Sequence, residues 1–185
     1  KPLLPSSRDI IGYASSSAKV SSTTAGNAYN RYFSNNSSAA DTVNAGTTDT
    51  FNGSGTRYSG NSVRIKASAD LVANSYADAD GNCSAPFVPV AFQKTRFGLN
   101  VQNEWVAFAS TNAAVITVTR PGGATSTITL TKSGSNINTP YKAYSTIDFP
   151  AGTLFEASEP FQMWYEPKND TNAANDDETV MFGWD

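Results

Sequence analysis

The sequence predicts an all-β protein, and three observations support this prediction. Several segments alternate apolar and polar residues, as strands with one buried face do; the clearest are 62–67, 114–120 and 126–131. No segment sustains apolar residues at helical spacing. Clusters of Gly, Pro, Asn and Asp separate the alternating segments, as in proteins built from antiparallel hairpins. We therefore expect an antiparallel β-sandwich of the jelly-roll or immunoglobulin-like type.

Residues 1–60 show the weakest strand pattern. Lys1–Pro5 is expected to be an extended arm, because its prolines stiffen the backbone. From 15 to 55 the chain is dense in Ser, Thr, Asn, Ala and Gly, with aromatic residues spaced through it. Two interpretations stay open for this region: a loop-rich segment with short edge strands, or an arm that becomes ordered only against neighbouring subunits.

Residues 61–101 are expected to form a first β unit. Two predicted strands, 62–67 and 71–76, precede a turn rich in Asp and Asn. Residues 87–92 predict a further strand. Its internal Pro89 indicates an edge position or a bulge, because proline cannot donate to a strand ladder.

Residues 102–185 are expected to form a second β unit. Trp105–Ala109 predicts a buried strand, and β-branched residues fill both arms of a hairpin around Pro121-Gly122-Gly123. Further short strands are expected at 141–144, 147–149, 153–157, 161–165 and 179–184. A domain boundary is expected near 100–102, and one continuous sandwich is the alternative.

The two halves of the sequence resemble each other at an offset of 90 positions. Ala67-Ser68 corresponds to Ala157-Ser158, Leu71 corresponds to Phe161, and an apolar triplet recurs at 90–92 and 180–182. Such a repeat predicts either two related β halves or one sandwich with pseudo-twofold character. Chance recurrence of strand patterning is the alternative.

The composition argues against several classes of function. Charged residues make up 16% of the chain, the net charge is -3, and no cluster of Lys or Arg offers a surface for nucleic acid. No apolar run is long enough for membrane insertion. The chain has no histidine, so the usual general base and proton shuttle are missing and we expect no enzyme. Small neutral polar residues dominate, as in extracellular and virion β-proteins.

One segment has the composition of a calcium loop. Asp78, Asp80 and Asn82 stand at alternate positions around Gly81, and oxygen ligands at this spacing can converge on one Ca²⁺. A plain Asx-rich turn is the alternative, because the later Glu of an EF-hand loop is missing. The three adjacent acids 176–178 are more typical of a solvated loop tip. No other cofactor is expected, and the single Cys83 allows no internal disulfide.

Aromatic residues near the predicted loops are candidates for contact with a ligand or partner. Trp184 and Tyr165 are the two that we assign to such a contact, since aromatic rings stack on sugars and anchor interfaces. Trp105 and Trp164 lie in strand patterns and are expected in the core.

Much of the chain resembles the repeated β-sandwich modules of virion structural proteins from tailed bacteriophages, especially phages of marine bacteria and cyanobacteria. The resemblance lies in strand and turn motifs, and residues 63–97 are similar to a companion module of those proteins. The motifs in the second half are 105–108, 116–123, 140–143, 149–153 and 176–183. It implies a position on the extracellular virion surface and leaves residues 1–60 unexplained.

The expected function follows from this resemblance and from the composition. The chain is expected to be a non-enzymatic virion structural protein that decorates the capsid or forms part of the tail or neck surface. Its partners would be copies of itself and other virion proteins. One alternative is a carbohydrate-binding or adhesion module that contacts a glycan on a host surface. Another is a self-assembling subunit of an extracellular fibre.

Overall fold

The computed structural model describes residues 7–14, 17–53, 60–76, 85–168 and 179–185. Two seven-stranded antiparallel sheets account for the regular structure of these residues, apart from one 3-10 turn at Val90–Phe92. The predicted all-β, antiparallel sandwich class is confirmed.

The chain completes one sheet before it begins the other. The strands of the first sheet are β1 (Ser7–Ala14), β2 (Ser17–Ser22), β3 (Asn27–Phe33), β4 (Ser38–Val43), β5 (Thr48–Asn52), β6 (Asn61–Tyr76) and β7 (Val88–Pro89). The strands of the second sheet are β8 (Lys94–Gly98), β9 (Asn103–Ser110), β10 (Val115–Thr119), β11 (Thr125–Thr129), β12 (Tyr141–Ser145), β13 (Leu154–Pro167) and β14 (Thr179–Val180). We call each sheet, with the core it encloses, the first unit and the second unit.

The structure corrects the interpretation of residues 1–60 as an arm and loop-rich region. Residues 7–53 supply five strands of the first sheet; residues 1–6 lie outside the described part of the chain. The sequence pattern is weak here because β2 fills its core positions with residues as small as Ala18, and Ser and Lys occupy the positions between. Backbone pairing with β6, which needs no large side chain, holds β2 in the sheet.

The sheets also divide the chain at a different place from the predicted units 61–101 and 102–185. β6 pairs with β1, β2 and β3, so the first unit includes residues on both sides of position 60. The chain passes from one sheet to the other at Val90–Phe92, between β7 and β8.

A long bent strand organises each unit. The first half of β6 pairs with β1 and β3, and its second half pairs with β2. Val63 and Ile65 from the first half share one buried cluster with Leu71 and Ala73 from the second half. β13 does the same in the second unit, where it pairs with β8 and β10 and then with β9. Each sheet therefore folds over a core of its own.

The second unit repeats the pairings of the first, as the repeat between 67–75 and 157–165 predicted. The predicted match of the triplets 90–92 and 180–182 is wrong, because Val90–Phe92 forms a 3-10 turn after β7, whereas Val180 belongs to β14 and pairs with β13. β6 bulges against β1 between Lys66 and Leu71, and β13 bulges against β8 between Glu156 and Phe161, again 90 positions later. The hydroxyl of a serine binds a carbonyl of both bulges: Ser22 Oγ donates to Asp70 O at 3.1 Å, and Ser110 Oγ donates to Pro160 O at 2.7 Å. The two halves are thus related β-sandwich units.

Asn27 fills the bulge of β6 with its side chain. The amide Nδ2 donates to Ala69 O at 3.0 Å and to Asp70 O at 3.2 Å. Its Oδ1 accepts from Ala69 N at 2.9 Å and from Ser68 Oγ at 3.0 Å. Asn27 is 1% exposed, so these bonds satisfy polar groups that water does not reach.

Replacing this buried amide should destabilise the first unit. We expect Asn27→Ala to lower the free energy of unfolding by about 3 kcal/mol, because backbone groups of the bulge lose their partners while still buried. Urea unfolding followed by circular dichroism measures the change. Asn30→Ala, on the exposed face of the same strand, is the matched control and should stay within about 0.5 kcal/mol of the native value.

Candidate interaction surface

The two units meet through one buried apolar cluster. The first unit contributes residues of β1 and β7 with the segment before β7, and the second unit contributes residues of β9 and β13. This inter-unit cluster consists of Ile11, Tyr13, Ala85, Val88, Trp105, Ala107, Ala109 and Trp164. Every member is at most 4% exposed.

The strands at this junction are buried on both faces. In β1, Ile10 and Ala14 point into the core of the first unit, and Ile11 and Tyr13 point into the inter-unit cluster. β9 divides its residues between the core of the second unit and the cluster in the same way. The continuous apolar run Trp105–Ala109 reflects this double burial, as the sequence predicted.

Hydrogen bonds between the units surround the apolar cluster. Trp164 Nε1 donates to Pro86 O at 3.1 Å, and Ser62 Oγ donates to Tyr141 O at 3.1 Å. Lys142 Nζ donates to Gly60 O at 2.6 Å, and burial lowers the pKa of this lysine. These bonds satisfy polar groups that the contact removes from water.

The units are stacked head to tail. The first unit uses the outer side of β1 and β7, which we call its front face. The second unit uses the outer side of β9, which we call its rear face. Because the units repeat the same pairings, each has both faces, so one front face and one rear face are left outside this contact.

The repeat locates the front face of the second unit at β8 and at residues 181–184, which follow β14. Arg96 of β8 takes the position of Asp9 of β1, because their partners Glu156 and Lys66 are 90 positions apart. Ile11 pairs with Val88, which places Val90 opposite Asp9. Arg96 pairs with Trp184. By this register Phe182 takes the position of Val88, and Trp184 takes that of Val90.

The front face of the second unit exposes a group of large apolar side chains. Phe182 is 82% exposed and Trp184 is 46% exposed, whereas Val88 is 3% exposed. Trp184 and Leu154 both border Gly98: atoms of each would lie 3.3 Å from a Cβ at that glycine. Phe182 and Phe92, which lies in the turn between the two sheets, line an adjoining groove of about 450 Å³ whose wall includes Val88 of the first unit. We call the set Phe92, Leu154, Phe182 and Trp184 the aromatic patch.

The backbone holds the patch in place. Trp184 N donates to Arg96 O at 3.0 Å, and Arg96 N donates to Trp184 O at 3.0 Å. At the end of the chain Lys94 Nζ binds Asp185 Oδ2 at 2.6 Å, and this bond lowers the pKa of Asp185. Backbone bonds on both sides of Phe182, at Met181 and at Trp184, therefore anchor this segment, and an ion pair lies at its border.

The rear face of the first unit is polar. β2 turns Ser17, Lys19 and Ser21 outward, at the positions where β9 has Trp105, Ala107 and Ala109. Opposite Lys19 the first unit has Asn74, where the second unit has Trp164 opposite Ala107. The two faces outside the inter-unit contact thus differ in chemistry.

The structure separates the two predicted contact residues. Trp184 lies on the surface, as expected. Tyr165 lies in the core of the second unit at 8% exposure, which corrects its assignment as a contact residue; its hydroxyl donates to Asn100 Oδ1 at 3.4 Å and burial raises its pKa. Trp105 and Trp164 are buried, as predicted. Phe182 was not singled out from the sequence, since its exposure depends on which face the other unit covers.

The predicted calcium ligands Asp78, Asp80 and Asn82 lie outside the described residues, as do the acids 176–178, so this site stays a prediction. Among the residues that the structure describes, no group of three or more His, Cys, Asp or Glu side chains is placed to hold a metal ion. No helix in this part of the chain is long and apolar enough to cross a membrane.

Comparison with protein-family models, with curated proteins and with solved structures gives no match to this chain. The likeness to phage virion proteins therefore rests on the strand and turn motifs of the sequence and stays a prediction.

A charge at the junction should uncouple the two units. Ala107 is fully buried between β9 and the first unit, so Ala107→Glu should destabilise the contact by about 3 kcal/mol or more. Calorimetry should then show two thermal transitions where the native chain shows one. Ala113→Glu, at an exposed position after β9, makes the same change outside the junction and should keep the single transition.

Proposed function

We propose that this chain is a non-enzymatic structural protein whose β-sandwich units bind neighbouring proteins on the surface of a virion. The observation that supports this proposal best is the uncovered aromatic patch. The equivalent face of the first unit is buried against the second unit, so this kind of face already forms a protein contact within the chain.

The chemistry of the patch suits a protein interface. Exposed apolar surface is costly, and contiguous patches on soluble proteins commonly mark binding sites. Aromatic side chains such as Phe182 and Trp184 are the usual anchors of protein interfaces. Because the backbone of Trp184 is paired with Arg96, binding would need little ordering of the chain, which favours affinity.

The charged groups beside the patch support a binding role over a catalytic one. A shallow groove next to β8 includes Arg96, Glu156 and Asp185. Glu156 pairs with Arg96 at 3.1 Å, and Asp185 pairs with Lys94 at 2.6 Å. Both carboxylates are engaged with cations in the ordinary manner of surface ion pairs.

The position on a phage virion is supported by the resemblance of residues 105–183 to virion modules and by the neutral polar composition. Decoration of the capsid, or a place on the tail or neck, would bring the patch against other virion proteins or further copies of the chain. Gold-labelled antibodies against the purified chain should bind intact particles from the source culture in electron micrographs. Purified particles that lack the chain by mass spectrometry would contradict the placement.

Recognition of a host glycan is the second candidate. The exposed ring of Trp184 and the groove beside Phe182 offer a stacking surface of the kind that sugars use. A glycan array separates the two proposals: binding that Trp184→Ser abolishes would favour the adhesion module, and an array without hits would count against it.

Loss of the patch should weaken attachment to the particle without unfolding the protein. We expect Phe182→Ser and Trp184→Ser to reduce binding to purified particles by about tenfold or more each, as for truncated aromatic anchors. Co-sedimentation of the labelled chain with particles measures the binding. Ile137→Ser removes another apolar residue, 83% exposed and outside the patch, and should bind like the native chain.

A further inference from the structure

We propose that the aromatic patch docks a further β-sandwich unit, on a different partner chain, whose rear face has an apolar stripe. The stripe would match the one that Trp105, Ala107 and Ala109 present to the first unit. This inference rests on the proposed function and names the partner by its chemistry: an outward strand face with apolar residues, some of them small, at alternate positions.

The first step of the argument is the equivalence of the two front faces. Phe182 and Val88 hold the same position in the repeat, as do Gly98 of β8 and Ile11 of β1. Ile11 and Val88 are covered by the rear face of the second unit. A unit of the same fold can therefore approach Phe182 and Gly98 along the same strand directions.

The second step is the match in size and polarity. Large rings dominate the patch, at Phe182 and Trp184, while the glycine beneath Trp184 leaves room for the ring. Large side chains pack best against small ones, and Ala107 and Ala109 provide such small residues in the contact already formed. The preferred occupant is therefore an outward strand face that combines a large ring, as at Trp105, with alanine or similarly small apolar residues.

The third step excludes a second copy of this chain as the occupant. The rear face of the first unit offers Ser17, Lys19 and Ser21 in place of an apolar stripe. These polar side chains offer no apolar surface on which the rings of the patch could pack, whereas aromatic anchors bind in well-packed, desolvated pockets. In stacked repeats a polar outer face of this kind terminates the array. The rear face of the first unit thus does not match the patch, and the rear face of the second unit is already covered, so the patch fits the rear face of a further unit on a partner.

The experiment gives the chain the rear face that the proposal requires. The probe combines Ser17→Trp, Lys19→Ala and Ser21→Ala with Phe182→Ser and Trp184→Ser, so that it has an apolar rear face and no patch of its own. Mixed with the native chain, it should form a one-to-one complex by sedimentation velocity, while each protein alone stays monomeric.

Matched controls connect the complex to the patch. Phe182→Ser in the native partner should weaken the complex by about tenfold or more, and Ile137→Ser should leave it unchanged. Cooperative unfolding of the probe shows that it is folded. If the probe with Ser17→Trp fails this test, a second probe with Lys19→Ala and Ser21→Ala as its only rear-face changes replaces it.

Each outcome decides between the inference and the proposed function. A folded probe that does not bind, or that binds the Phe182→Ser chain equally well, would overturn the inference. A native chain that already dimerises through Phe182 would make a second copy the occupant, again overturning it while the structural role stands. If the complex forms through Phe182 but gold-labelled antibodies do not bind the virus particles, the inference is supported and only the placement on a virion is rejected.

Discussion

The structure depends on the double burial of β1 and β9. Both strands must satisfy two apolar environments at once, a core inside their own unit and the shared cluster between the units. This constraint fixes the register of each strand, because a shift by one residue would exchange the side chains on its two faces. It also explains why Ile11 and Trp105 are as well buried as residues at the centre of either core.

The sequence predicted the second unit better than the first, for a physical reason. β10 and β11 pair as the predicted hairpin, since β-branched residues alternate along both strands. The strands between 7 and 53 were not predicted, because small residues such as Ala18 give little alternation of hydrophobicity along the strand. The repeat was visible at β6 and β13 because the bulge there imposes similar residues, whereas ordinary strand pairing makes few demands on side-chain identity.

The candidate surface was only partly predictable. Trp184 was expected on the surface, but Tyr165 faces the core while its neighbour Trp164 faces the inter-unit cluster. A strand covered on both sides shows no polar face, so its pattern does not reveal which side meets water. Phe182 is exposed because the contact between the two units covers other faces, and local sequence patterns do not record which faces a tertiary contact covers.

The inter-unit contact has a consequence for biosynthesis. All seven strands of the first unit precede β8, so this unit can fold while the ribosome is still translating the second. Until Trp164 emerges, roughly 75 residues and on the order of 4–15 s later at typical elongation rates, Ile11, Tyr13 and Val88 have no cover. During that interval the nascent chain exposes an apolar surface that is prone to aggregation. Folding of the second unit then buries this surface.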